Sequence, residues 1–287
     1  ASSIEASLNG NTNVSIITSD GSITFTTGIA KTGNNTSSLT LSAYVNVALG
    51  ANSITSSTNT LPLTITATTG SFTGSGNLTL NGGALSITQG AAGTYSGKIS
   101  GTSTTLTKAG AGALTLTNTN TYTGGTNVNA GTLVLYHSSG TTVTVLADTG
   151  AVTVNGGILR LIDLTETVGA VTLTSGSITV GTTGNTLTGT SYTLNPSSGT
   201  THSIAAVLAG SGVALTSSGT GTITLSGANT YTGATTIGSG TTLKLGAAGV
   251  ISDSSAVTAN GTLDLNSYSE TIGSLAGSGT VTSSAAG

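Results

Sequence analysis

Cysteine, methionine and tryptophan are absent from the 287 residues, and proline occurs only 2 times. Without cysteine, neither a disulfide framework nor a thiolate metal site can form. The absence is also compatible with export through an oxidising compartment, where stray thiols are a hazard. Charge is scarce: 5% of residues are charged, against about 25% in an average soluble domain. Salt bridges therefore cannot be a main source of stability. The 8 acids and 5 bases are spread singly and leave a net charge of −3. No basic stripe is present, so nucleic acid is not expected as a partner. No stretch approaches the roughly 20 apolar residues of a spanning helix, so this segment is not expected to insert into a membrane. Ala1 is not followed by a basic region and a long apolar run. Any export signal is expected to have been removed or to lie outside this stretch.

What remains is a polar, uncharged, turn-rich sequence. Glycine supplies 44 residues, and Thr, Ser and Asn fill most polar positions, a composition that suits strands and tight corners better than helices. Short apolar-polar-apolar triplets recur from end to end, among them Leu39-Thr-Leu41, Leu63-Thr-Ile65, Leu85-Ser-Ile87, Val143-Thr-Val145, Val152-Thr-Val154 and Ile223-Thr-Leu225. Period two over three to five residues marks a strand with one buried face. Clusters such as Asn81-Gly82-Gly83 and Asn155-Gly156-Gly157 punctuate the triplets, and these residues tolerate positive φ.

The chain also repeats itself. KAGAGALTLTNTNTYTGGTNVNAGTLVL, residues 108–135, returns as GTGTITLSGANTYTGATTIGSGTTLKL, residues 219–245. Asn120-Thr-Tyr122-Thr-Gly124 meets Asn229-Thr-Tyr231-Thr-Gly233 without a change. The correspondence extends to about 97–180 and 208–281, and such duplication favours a solenoid over a sandwich or an up-and-down barrel, which use similar strands. With 7 Tyr and 2 Phe, no bulky central core is expected. The reading is an all-β parallel β-helix with three short strands per coil, one continuous solenoid over 1–287. At roughly 20–25 residues per coil and about 4.8 Å per rung, it would make on the order of 12–14 rungs and a rod of about 60 Å. The segment Thr182–Ala206, with Pro196, is expected to be the least regular.

The motif GALTLTNTNTYTGGTNVNAGTLVL resembles the autotransporter-associated β-strand repeat, also called the passenger-associated transport repeat. GKISGTSTTLTKAG, residues 97–110, resembles the segment that often leads into it, and GTITLSGANTYTGATTIGSGTTLKL is similar to the same pattern. The resemblance covers about Gly97–Leu135 and Leu208–Leu245. It implies a right-handed β-helix in a secreted or surface-displayed bacterial protein, commonly an adhesin or a stalk presenting one. The family pattern places a membrane barrel downstream of such repeats; it is expected either to lie outside this stretch or to be replaced by another export route.

Sites of chemistry are sparse. Gly97-Lys98 lacks the remainder of a Walker motif, and no Gly-x-Ser-x-Gly elbow gives any serine a nucleophile's context. His137 and His202 read as solvated turn residues. A polysaccharide lyase or hydrolase on this fold would need charged groups together on adjacent rungs. The candidates are Arg160, Asp163 and Glu166 in one copy and Lys244, Asp264 and Glu270 in the other. Arg160 and Asp264 share an outward slot, which reads as surface variation. Glu166 and Glu270 read as turn residues accepting a backbone N–H. Neither catalytic, cofactor nor metal residues are expected. Asn120, Tyr122, Gly124, Asn229, Tyr231 and Gly233 are expected to be structural, the Asn bonding backbone at a corner and the Tyr packing on the next rung. A Tyr facing a glycan is the alternative.

The resulting expectation is a non-enzymatic extracellular stalk, fibre segment or adhesive surface, with a carbohydrate-active enzyme as the alternative. Neither 1–10 nor 280–287 reads as a charged or helical cap. Unpaired strand edges at a solenoid end must be capped or joined, so the expectation is either a piece of a longer passenger or a subunit that self-associates head-to-tail or laterally, with glycans or proteins as further partners.

Overall fold

The computed structural model describes residues 2–138, 144–181 and 184–284. Val143 of the Val143-Thr-Val145 triplet, Thr182 and Thr183 of the segment expected to be irregular, Ala1, and 285–287 of the proposed ends lie outside the described residues. Strand accounts for 45% of the chain and helix for 3%. Residues 1–150 and 151–287 form two compact units. Each is a parallel β-solenoid, with about 12 turns between them.

In the first unit, Val14, Leu39, Leu63, Leu85, Leu106 and Thr126 stack in one column, each on the next coil. The coil shortens from 25 residues between Val14 and Leu39 to 20 between Leu106 and Thr126. A second row stacks Ile23, Val47 and Phe72. A third runs through Ile29, Ile54, Leu78 and Ile99. Alternation turns every second side chain inward, so Leu39, Leu41, Leu63, Ile65, Leu85 and Ile87 are all fully buried. Each such side chain stabilises the fold by about 1.5–3 kcal/mol relative to exposure. Phe72 stacks on Tyr95 with ring centroids 4.9 Å apart.

In the second unit the leading column is Val152, Val171, Tyr192, Leu215, Thr235, Val257 and Leu275. Here the three-strand pattern changes. The first two strand positions fuse into single bent strands at Val152–Ile162 and Val171–Val180. The third position is a strand at Thr165–Thr167, Thr186–Thr188 and Val207–Ala209, then becomes an irregular corner from residue 226 onward. Within 184–206, the segment expected to be irregular supplies three strands, Thr186–Thr188, Tyr192–Leu194 and Thr201–Ile204. Pro196 sits in the turn, where its carbonyl accepts the Thr220 and Gly221 amides.

The N-terminal end departs from expectation. Ser2–Asn9 forms a helix, α1, that buries Leu8. Glu5 Oε1 accepts the Ala30 amide at 2.8 Å, and Asn9 Oδ1 accepts those of Thr32 and Gly33 at 2.8 and 2.7 Å. The helix therefore satisfies the outer edge of Ile29–Lys31, which otherwise presents unpaired donors. It is a helical cap after all, built from an eight-residue segment that tertiary bonds hold in place.

Polar groups also occupy inward slots. Lys108 aligns with Ile87 and Val128 and is fully buried, its Nζ donating to the carbonyls of Ala109, Gly110 and Ala130 at 2.7, 2.8 and 3.1 Å. Lys31 does the same to Gly33 and Asn35. His202 aligns with Ile223 and is 7% exposed, its Nδ1 3.1 Å from the Gly176 carbonyl and its Nε2 3.0 Å from Thr200 Oγ1. It is a buried strand residue rather than a solvated turn residue, because its ring reaches the backbone of the preceding coil.

Candidate functional site: the duplicated Asn-Tyr-Gly corner

Each unit holds one copy of the repeated corner, and the two are built alike. In the first, Asn120 follows strand Ala113–Leu116 and is 3% exposed. Its Oδ1 accepts the Ile99 amide of the previous coil at 2.7 Å, while its Nδ2 donates to the Val145 carbonyl at 2.7 Å. A single side chain thus joins coils on both sides of it. The second copy repeats this with Asn229, whose Oδ1 accepts the Leu208 amide at 2.8 Å and whose Nδ2 donates to the Val250 carbonyl at 2.6 Å. An amide suits the slot because it carries both an acceptor and donors, so both backbone groups are satisfied.

Two residues on, the chain turns inward and the tyrosine ring enters the core. Tyr122 and Tyr231 are fully buried. Their hydroxyls meet threonines four residues later, Tyr122 to Thr126 Oγ1 at 2.5 Å and Tyr231 to Thr235 Oγ1 at 2.7 Å. Thr235 Oγ1 also meets Ser255 Oγ at 2.8 Å, and Ser255 Oγ donates to the Gly233 carbonyl at 2.9 Å. Burial pushes the Tyr231 phenol up to about 12, against a smaller opposing effect of the Thr235 hydrogen bond. Neither ring has a surface to offer a glycan.

Gly124 and Gly233 complete the corner by close approach. A Cβ on Gly124 would lie 2.3 Å from the Thr104 carbonyl oxygen, and one on Gly233 2.4 Å from that of Val213. The same two carbonyls accept the glycine amides at 2.9 Å. Glycine is therefore required for the coil-to-coil bond itself.

Several partners were not singled out by the sequence. Thr123 and Thr232 accept the Ser103 and Gly212 amides, each at 2.8 Å. Asn185 Oδ1 accepts the Leu164 amide at 2.8 Å, and Asn185-Thr-Leu-Thr-Gly189 is a degenerate copy of the same pentapeptide. That spelling was the available signal. Glu270 Oε2 accepts the Val250 amide at 2.9 Å, so Asn229 and Glu270 hold the two backbone groups of one residue. Glu166 is fully buried within Thr165–Thr167.

The charged candidates differ in exposure and in partners. Arg160 and Asp163 are exposed. Lys244 and Asp264 face each other in register, with Nζ and Oδ2 4.0 Å apart. Asp264 is 6% exposed rather than open on the surface, because the chain folds back over it. Burial would raise its carboxyl, but hydrogen bonds from the Ser284 hydroxyl and the Ser284 and Asn266 amides outweigh this and hold it below the usual carboxylate range. Among the described residues, no group of three or more His, Asp or Glu is placed to hold a metal ion.

Comparison with known proteins identifies the corner. The family model described as Passenger-associated-transport-repeat matches residues 106–135 and 215–245. No curated protein and no solved structure matches the chain. Both matched segments enclose an Asn-Thr-Tyr-Thr-Gly corner with its threonine partner, and the chain carries two copies of the passenger-associated-transport-repeat, one in each unit.

Proposed function

We propose that the chain is a non-enzymatic β-solenoid segment of an autotransporter passenger, exported to the cell surface, where it serves as a stalk or fibre segment. The observation that carries this reading is the fate of the repeat's distinctive side chains. Asn120, Tyr122, Gly124, Asn229, Tyr231 and Gly233 are all buried or spent on bonds between coils. The repeat is thus a fastening for backbone, and its role is to keep an uncharged, Thr-covered surface folded. To test it, the chain is fused to a membrane-barrel translocator and probed with external protease on intact cells. A passenger reaches the surface and resists digestion; retention inside the cell, or rapid cleavage there, refutes the reading.

Self-association belongs to the same proposal. α1 covers the edge of Ile29–Lys31, but Val14–Thr18 and Ile23–Thr24 each pair on one side among the described residues. Beside them lies an open apolar pocket of about 220 Å³, lined by Ile4, Ile16, Ile23, Phe25 and Ile29. The occupant we assign is a second copy, whose strands Ser274–Ala276 and Thr280–Thr282 present Leu275 and Val281, 54% and 46% exposed. Light scattering across a concentration series and negative-stain images test this assignment, and a strictly monodisperse monomer removes it.

A further inference from the structure

Six threonines of the second unit stand in one outward column. Thr153 pairs in register with Thr172, Thr172 with Thr193, Thr193 with Thr216, Thr216 with Thr236, and Thr236 with Thr258. Among the described residues no other outward column of the unit repeats one residue over six coils; Thr201, Thr222, Thr242, Thr262 and Thr280 form a column of five, with the charged Lys244 and Asp264 two residues beyond Thr242 and Thr262. Thr216 is exposed and the other five are half-exposed. Their hydroxyls have no hydrogen-bond partner among the described residues, whereas Thr126, Thr232 and Thr235 spend theirs on the fold.

A second column runs beside the first. Two residues before each threonine stand Ala151, Ala170, Ser191, Ala214, Ala234 and Ala256. The carbonyls of Ala170, Ser191, Ala214 and Ala234 accept the amides of Val152, Val171, Tyr192 and Leu215 at 2.8–3.0 Å, which fixes this column rung by rung as well. Parallel pairing repeats the pattern every ~4.8 Å across the strands and every ~6.6 Å along them, so the threonines alone extend over about 24 Å. The result is a two-dimensional lattice of methyls and hydroxyls. None of these twelve positions bears a charge or an aromatic ring.

We propose that this face binds crystalline water: it is an ice-adsorbing surface. A neutral face matches a neutral lattice, and short β-branched side chains on a hydrogen-bonded sheet lose little entropy when they order against it. Each hydroxyl can donate to and accept from water in the bound layer, and the methyls beside them carry no polar group that liquid water would have to be stripped from. Flat crystalline polysaccharide is the other periodic ligand such a face could meet. Recognition of sugar rings draws on aromatic stacking, which this face lacks. The assignment does not depend on the passenger reading, since it concerns the isolated folded chain.

The test grows an ice hemisphere in a dilute solution of the fluorescently labelled protein and follows crystal shape in parallel. The chain is expected to enter the ice and to facet growing crystals. Thr216→Lys, in the middle of the column, is expected to lower incorporation on the order of tenfold, with an unchanged melting temperature. Thr216→Val, which keeps the shape, is expected to retain most of it. Thr222→Lys, on a different column, serves as the control and is expected to behave as the parent. Exclusion of the parent chain from ice overturns the proposal. Equal incorporation of Thr216→Lys, or an equal loss with Thr222→Lys, overturns it too, as does retention on cellulose or chitin without any on ice.

Discussion

The side-chain amide of Asn229 and the backbone carbonyl of Val250 are joined at 2.6 Å, from one coil of the second unit to the next. The opposite end of the same amide takes the Leu208 N–H. Asn229→Leu leaves both backbone groups buried and unpaired, at about 1–3 kcal/mol each. The expected result is a fall in stability of about 2–5 kcal/mol, read from chemical denaturation. Asn229→Asp keeps the acceptor but loses the donor and sets a carboxylate against a carbonyl. Its deficit should shrink on acidification, as protonation restores a donor.

Tyr231 separates ring from hydroxyl. Tyr231→Phe removes a bond to Thr235 Oγ1, which keeps Ser255 as a partner, so a loss of about 1 kcal/mol is expected. Tyr231→Ala empties a core position and should cost about 3–5 kcal/mol. Denaturant melts of the two variants distinguish a packing role from a polar one; near-equal losses would contradict it.

Lys108 predicts an alkaline rise in stability. Burial pushes its ammonium down to about 8 from 10.5, so between those values the unfolded chain binds more protons than the folded one. Stability therefore increases as pH rises from about 8 toward 10. Above about 10 the sign reverses, because Tyr95, Tyr192 and Tyr231 are raised by burial and ionise first in the unfolded chain. Lys31 is lowered by burial in the same way and adds to the rise, so Lys108→Met should reduce it and leave the later fall, as followed by melting temperature against pH.

How far the sequence reaches can be judged by particular residues. Leu39-Thr-Leu41 and Leu63-Thr-Ile65 announced inward columns because alternation has only one stable solution once a face is buried. The duplicated pentapeptide announced the corner because its residue types recur at fixed spacing. Lys108 was harder: period two puts it inward, while its charge argues outward, and of the three carbonyls that settle the matter two follow it directly in the chain and the third, that of Ala130, belongs to the next coil 22 residues on. The cap α1 was illegible for a similar reason. SSIEASLN has one buried residue, and its fixing bonds go to residues more than 20 positions downstream.

That cap gives the fourth prediction. Asn9→Ala removes acceptors from the Thr32 and Gly33 amides and should lower stability by about 1–2 kcal/mol. Deleting residues 2–9 uncovers the edge of Ile29–Lys31 and is expected to raise self-association, measured by light scattering at equal concentration. A truncated chain that stays as monomeric as the parent would show that the helix shields nothing.

The pairing of each coil with its immediate neighbours has a mechanical corollary. Pulled from its ends, a unit built this way should yield in steps, one coil detaching while the remainder holds. The column positions in the second unit set each step at 18 residues, from Val257 to Leu275, up to 23, from Tyr192 to Leu215. Extended chain adds about 3.3–3.6 Å per residue, so a force trace would show a sawtooth with teeth about 60–80 Å apart. At the other end of the polypeptide, α1 sits across the outer edge of the first coil as a latch, and the earliest peak would belong to its release.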